Sequence, residues 1–463
     1  MSLTSFVSGL SATQVKGLTN ANVAALDTAA VGALKSEAVA ALSSGQLAQI
    51  ANDEIEALKL SSLSTGALAG LTLGQFQQIN TSATASLTDA QVSGLSTGLV
   101  SQLVTADLDA LDATQMKALT SKQLAALNAT QLSATSIVNL DAAQVGKLSG
   151  AQVTALDAAA AAALTATQLE GMTAEGVAGL EAADITALFT GTGSKIGSLS
   201  TKAISGLDVS DIAALDADGG KALTTDQIKA LSATQIGALT TDEVGGWTDV
   251  QVAALASKQI QALNMAALDA TQQGYLTSSQ IAALDATQIG AIDDATLDAW
   301  TTAQLGAISS TGVAGLSTDN VAGLDATQVN ALSSKAFAAL DATQMAKLDP
   351  TVFSGLSSDL VKVLTADKIA ALTNDQVTAL GVTQIGAMSS AQIAALDDGD
   401  LALFSATEFA AISDTALKGL QEDDLMNMTD AQLDELTSAR ESLFSQDQTN
   451  WIIAAYTETT LAQ

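Results

Sequence analysis

The 463-residue sequence has no cysteine and no histidine, one proline (Pro350) and one arginine (Arg440), and its aromatic content is 3%. Without cysteine there are no disulfides, thiolate metal sites, iron–sulfur clusters or thiol nucleophiles. Without histidine there is no Ser-His-Asp triad, no imidazole metal site and no side chain of ordinary pKa near neutrality. Basic residues are scarce: 17 Lys+Arg stand against 49 Asp+Glu, for a net charge of −32. Such a surface repels phosphate, so neither nucleic acid nor an anionic membrane is expected as a partner. No apolar run reaches 18 residues, so no membrane span is expected. The opening MSLTSFVSGL has no basic region of the kind that starts a signal peptide.

What the sequence has in plenty is a repeat. From Asp285 it runs DATQIGAI, DDATLDAW, TTAQLGAI, SSTGVAGL, STDNVAGL, DATQVNAL. The period is eight, with consensus [D/S/T]-x-x-[Q/E/D/N]-[I/V/L]-x-[A/G]-L. In-phase octads fill 3–58, 64–127, 133–188, 192–263 and 269–436, giving 52 copies. Abundant Leu, Ile and Val exclude disorder.

An octad advances an α-helix by about 800°, some 80° past two turns, so the leucines of one long helix would spiral instead of forming a stripe. The composition and the apolar spacing of three and five also argue against strands. The consensus is a helix start, repeated. Position 1 is Asp, Ser, Thr or Asn except at Leu3, Lys35, Ala51, Val104, Glu181, Ala256, Gly381 and Gln421, and such side chains cap free N–H groups. Position 4 completes a capping box, and the apolar residues at position 8 of one octad and position 5 of the next form a hydrophobic staple. Pro350 falls at the first helical position, where proline is tolerated.

Helices this short do not persist alone. The expected fold is therefore all-α: a solenoid of short, about two-turn helices, one per eight-residue repeat, in a single elongated superhelical array. Position 8 is always apolar. Position 5 is apolar except at Thr84, Ala161, Gly220 and Gln273. Trp247 and Trp300 occupy position 8 and are expected in the core; Tyr275, at position 7, is expected at the surface.

The phase slips at 59–63, 128–132, 189–191 and 264–268. The expected organisation is an octad solenoid with periodic slips over 3–263, an uninterrupted one over 264–436, and a C-terminal cap, docking or export segment over 437–463. A slip either corrects superhelical drift or marks halves of different curvature or partner.

Acidic side chains are the only plentiful reactive groups, and most serve as caps. Asp216 and Asp218 before Gly219-Gly220, and Asp397, Asp398 and Asp400 around Gly399, are the candidate calcium ligands, although the full EF-hand pattern is missing. No other cofactor is called for, and no enzymatic chemistry is expected.

The units TATQLEGM, TTDQIKAL and TTAQLGAI resemble the tandem L-[ST]-x-x-Q-[IV]-x-A-L tracts of large secreted or cell-surface bacterial proteins. The resemblance spans 3–436. It implies an acidic, cysteine-free protein outside the cell or on its surface, exported through an uncleaved C-terminal signal; the Gly-Asp nonapeptides common in such proteins are absent here. The expected function is structural: copies of the chain assembling into a filament, sheath or surface layer, with divalent cations screening the carboxylates. The alternative is an adhesin stalk or solenoid scaffold that binds a protein or glycan.

Overall fold

The computed structural model describes residues 2–79, 84–438 and 440–461, the side chains of 129, 398 and 458–461 aside. Among these residues every regular element is a helix and none is a strand. Most helices have four to six residues, such as Ala12–Lys16, Thr225–Ala230 and Ser390–Ile393, and several octads close as single 3-10 turns, such as Ile196–Ser198 and Leu417–Gly419. They are thus shorter than the expected two turns.

The reason lies in two consecutive extended residues. Thr224 at position 1 has φ −76°, ψ 157°, and Leu231 at position 8 has φ −61°, ψ 139°. Position 1 caps the coming helix, position 8 leaves the finished one, and together they turn the chain. Only positions 2–7 remain for the helix. Thr224 Oγ1 accepts from Gln227 N (3.2 Å) while Gln227 Oε1 accepts from Thr224 N (2.9 Å), which completes the capping box. Pro350 opens the helix Pro350–Gly355, as its position requires.

The chain forms two compact units, Met1–Ala238 and Leu239–Gln463. Each has the same internal construction. In Thr120–Leu127 of the first and Thr373–Leu380 of the second, positions 1–3 and 6 are exposed, positions 4, 5 and 8 are buried, and position 7 is half-buried. Positions 5 and 8 build the core: Ile228 and Val377 are fully buried, and Leu231 and Leu380 nearly so. Each such side chain contributes roughly 1.5–3 kcal/mol of burial. Trp247 and Trp300 lie in the core, 3% and 4% exposed, and Tyr275 is at the surface.

Within each unit, an octad lies against the third and fourth octads before it. Position 7 meets position 2 of the third. At Gly171 the backbone lies so close to the carbonyl of Ala142 that a Cβ would overlap it, and Gly315 stands in the same relation to Ala286. The contact with the fourth passes through position 4. A turn therefore holds between three and four octads.

The five-residue slips take the place of octads in this stacking. In 59–63, Leu60 and Leu63 offer the carbonyls that positions 5 and 8 offer elsewhere, and Gln91 Nε2 donates to both (2.8 and 2.7 Å). In 128–132, Gln131 accepts from Asn128 N (2.6 Å) and donates to the carbonyls of Val100 and Leu103. The slip at 189–191 instead lengthens one helix to Ala182–Phe189 and adds a loop turned by Gly191 at φ 69°. Asp216 accepts from Gly191 N (2.7 Å) and holds that loop down.

The stacking runs on past Leu436. Arg440 donates to the carbonyl of Ala410, and Gln448 Nε2 donates to those of Leu417 and Leu420 (2.8 and 3.0 Å). The helix Gln446–Leu461 follows, tied back where Tyr456 Oη donates to Asp434 Oδ1 (2.8 Å).

Substituting Gly315 by Ala forces the carbonyl of Ala286 to move and should destabilise the protein by about 1–3 kcal/mol. Gly66, a helical glycine with open space around its Cα, should tolerate Ala with a gain of about 0.4–1 kcal/mol. Denaturant titration of both variants tests the close-approach rule.

Candidate functional site

The side chain that organises both units is glutamine at position 4. Its Oε1 serves its own octad, accepting the backbone N–H of position 1. Its Nε2 reaches the octad four before, in many octads donating to the two carbonyls of positions 5 and 8 and in others, such as those of Gln115, Gln304 and Gln384, to those of positions 6 and 8. In the first unit Gln46 joins Val15 and Leu18 (2.9 and 2.8 Å), and Gln227 joins Ile196 and Leu199 (2.7 Å each). In the second Gln272 joins Val244 and Trp247 (2.6 and 3.1 Å), and Gln392 joins Val361 and Leu364 (2.7 and 2.9 Å). Gln75, Gln123 and Gln227 are at most 1% exposed. A helix ends on carbonyls without intrahelical partners; in these octads the glutamine supplies the position 8 carbonyl and adds a second bond to the position 5 carbonyl, which already accepts from the N–H of position 8, as Ile196 does from Leu199 N (3.0 Å). From the sequence, glutamine at this position has only its capping role; the second role shows faintly in the preference for Gln over the equally good cap Glu, which lacks an N–H to donate.

Other donors fill the same slot. Lys195 Nζ donates to the carbonyls of Ala162 and Leu164 (3.1 and 2.7 Å), and Lys368 Nζ to that of Ala338. Burial lowers the pKa of Lys368, with the carboxylate of Asp341 pulling the other way.

Where the slot holds an aspartate it keeps the cap but brings no donor. Asp184 accepts from Glu181 N (3.0 Å) and Asp211 from Asp208 N (2.8 Å). Burial raises the pKa of Asp184, Asp211 and Asp400. The cap N–H partly offsets this, and the neighbouring carboxylate adds to it.

The candidate calcium ligands are all placed at helix starts. Asp216 accepts from Gly219 N (2.8 Å) and Gly191 N (2.7 Å), bonds that hold its pKa below the usual carboxylate value. Asp218 is half-exposed in the helix that Asp216 caps. Asp397 accepts from Asp400 N (2.8 Å), and Asp400 faces back to Asp397 N (3.3 Å); the side chain of Asp398 lies outside those described. Among the described residues no three acidic side chains gather where they could hold a metal ion.

One place in the second unit collects departures from the consensus. Octad 293–300 has Thr296 at position 4 and Trp300 at position 8; octad 269–276 has Gln273 at position 5 and Tyr275 at position 7. Gln273 does the work that position 4 of 293–300 cannot. Its Oε1 accepts from Asp293 N (2.8 Å), and its Nε2 donates to Met265 and Leu268 (3.4 and 3.1 Å). Thr296 Oγ1 donates to the carbonyl of Ala270 (3.1 Å). Beside them is a cavity of about 310 Å³ walled by Thr271, Gly274, Asp293, Thr296, Trp300 and Gln304 along with small alanines. Trp300 Nε1 is buried with no hydrogen-bond partner in the protein. An unpaired buried donor costs about 1–3 kcal/mol.

Residues 221–249 match the model of a known family, the ALTTAQ repeat. In this chain the motif appears as Ala222–Gln227 (ALTTDQ) and Ala230–Gln235 (ALSATQ), each ending on a slot glutamine. The match supports a repeat protein, over that short stretch. No curated protein matches the chain. Among the described residues no helix is long and apolar enough to cross a membrane.

Two predictions follow from the slot. Gln227→Leu strands the N–H of Thr224 and the carbonyl of Leu199 and removes the second bond to the carbonyl of Ile196, which keeps its bond from Leu199 N (3.0 Å), and should cost about 1–3 kcal/mol in urea unfolding. Asp211→Asn keeps the cap and adds an N–H donor. Because burial raises the folded-state pKa of Asp211 above its unfolded value, the stability linked to its proton is present at low pH and is lost as pH rises beyond about 4. The substitution should therefore raise Tm at neutral pH, with the difference shrinking in melts towards pH 3.

Proposed function

We propose that the protein is a structural component, extracellular or at the cell surface, whose copies associate with one another into a filament, sheath or surface layer. The observation that carries this reading is the uniform exposed face of the octads. Positions 1, 2, 3 and 6 face solvent in the same order in Thr120–Leu127, Thr240–Trp247, Thr248–Leu255 and Thr373–Leu380. A surface that repeats one pattern of exposed positions at fixed spacing, with short polar caps at position 1, can engage a copy of itself at many points. Contacts too weak to matter singly then add along its length.

Charge sets the condition. At −32 the chains repel one another. Divalent cations such as calcium lower that repulsion by screening and bridging exposed carboxylates. No specific ion site is required for this, since the caps at position 1 recur throughout both units. A scaffolding role makes no demand for catalytic groups.

Electron microscopy and light scattering of the purified protein, in calcium and in a chelator, test the proposal. Ordered fibres or sheets in calcium, dispersing in chelator, are expected. Monodisperse monomers across all calcium and protein concentrations would overturn it.

A further inference from the structure

We propose that the exposed face of octads 3–26 docks on the acidic, partly apolar face of residues 421–456 of a second copy. The inference rests on the self-association reading and names two surfaces that meet.

The stacking within each unit supplies the pattern. A position 4 glutamine is normally spent on an earlier octad, as Gln46 is on the carbonyls of Val15 and Leu18. In octads 3–26 the position 4 side chains are Phe6, Gln14 and Asn22, and all three are exposed. Gln14 Oε1 accepts from Ser11 N (2.9 Å) and Asn22 Oδ1 from Thr19 N (3.2 Å), so both caps are made. Their side-chain N–H groups meet no acceptor among the described residues. Phe6 is 57% exposed, the most exposed aromatic side chain among the described residues, and Leu3 on the same short helix is 45% exposed.

Residues 421–456 offer the counterpart. Gln448 links back to the carbonyls of Leu417 and Leu420. For the next two octads, no side chain among the described residues donates to the position 8 carbonyls of Met428 and Leu436. Ile453 and Leu443 are 58% and 38% exposed. Beside Ile453 a cavity of about 230 Å³ opens, walled chiefly by Phe444, Ile452, Ile453 and Tyr456. Phe6 of the second copy enters this cavity as the apolar anchor, and the amides of Gln14 and Asn22 supply donors around it.

Charge fits one face to the other. Residues 3–26 hold Lys16 and no Asp or Glu, whereas residues 421–447 hold eight Asp+Glu against the single Arg440. Two acidic faces repel each other, and an acidic face meets the acid-free one without that cost. The contact is therefore between unlike faces. Each docked pair leaves one face of each kind free, so the contact can repeat into an open chain of copies.

Sedimentation velocity of the full chain in calcium compares the parent with Phe6→Ser and Ile453→Asp. Both side chains are largely exposed, so the helical circular dichroism should be unchanged. Each variant alone should associate about tenfold more weakly than the parent. Mixed in equal amounts, the two should form a one-to-one dimer that grows no further, because one keeps an intact 421–456 face and the other an intact 3–26 face. If both variants assemble as tightly as the parent, or the mixture forms nothing that each lacks alone, this contact is overturned while self-association stands. If the parent itself stays monomeric at every concentration, both are overturned.

Discussion

The recurring bond between turns in both units is an amide that faces two ways. A helix of one turn has more unpaired backbone groups than paired ones, because its first N–H and last C=O groups have no partner within it. A protein made only of such helices must satisfy those groups from outside. Gln227 does so for two octads at once: its oxygen takes the N–H of Thr224, and its nitrogen supplies the carbonyls of Ile196 and Leu199. Neutral hydrogen bonds contribute modestly to stability, but buried groups left unpaired are expensive. Where it occurs, the amide lets the ends of these helices be buried without leaving their backbone groups unpaired.

The same logic explains which irregularities the fold tolerates. A slip of five residues is accepted because Leu60 and Leu63 still present two carbonyls to Gln91. A cation is accepted because Lys195 still donates to carbonyls of the octad below. Asn320 keeps the cap with Ser317 and turns its N–H to Asp294 instead. Aspartate is the strained case: it caps, but its burial carries a charge with no cation opposite, which is why Asp184, Asp211 and Asp400 share one direction of pKa shift. Where Thr296 breaks the rule outright, Gln273 moves in from a neighbouring octad. Octads with Ala30, Ala67, Leu99, Ala336 or Val352 at position 4 do without the amide and rely on the packing of positions 5 and 8.

This uniformity bears on function. Buried positions 4, 5 and 8 are occupied with holding turns together, so chemistry can appear only on exposed positions 1–3 and 6 or at a local exception. The exposed positions recur in the same order from octad to octad, although their side chains vary, and such a repeat favours additive contacts with other copies. The neighbourhood of Trp300 is an exception: there Gln273 bonds to the N–H of Asp293, 20 residues on in sequence, and Thr296 and Trp300 share one surface cavity.

The sequence by itself determined the helical class, the period, the caps and the core. Asp, Ser or Thr at position 1, Pro350 at a first helical position, and Val or Ile and Leu at positions 5 and 8 act within one octad, and local rules read them directly. Helix length was less legible, because the extended conformation of residues such as Leu231 depends on how the next helix is laid against the stack. The second arm of glutamine, the equivalence of a five-residue slip to an octad, and the grouping of Gln273 with Thr296 and Trp300 were decided only by tertiary structure. Each joins residues about 20 to 31 positions apart, and that separation follows from how many octads complete a turn, a geometric quantity set by packing and written in no single repeat.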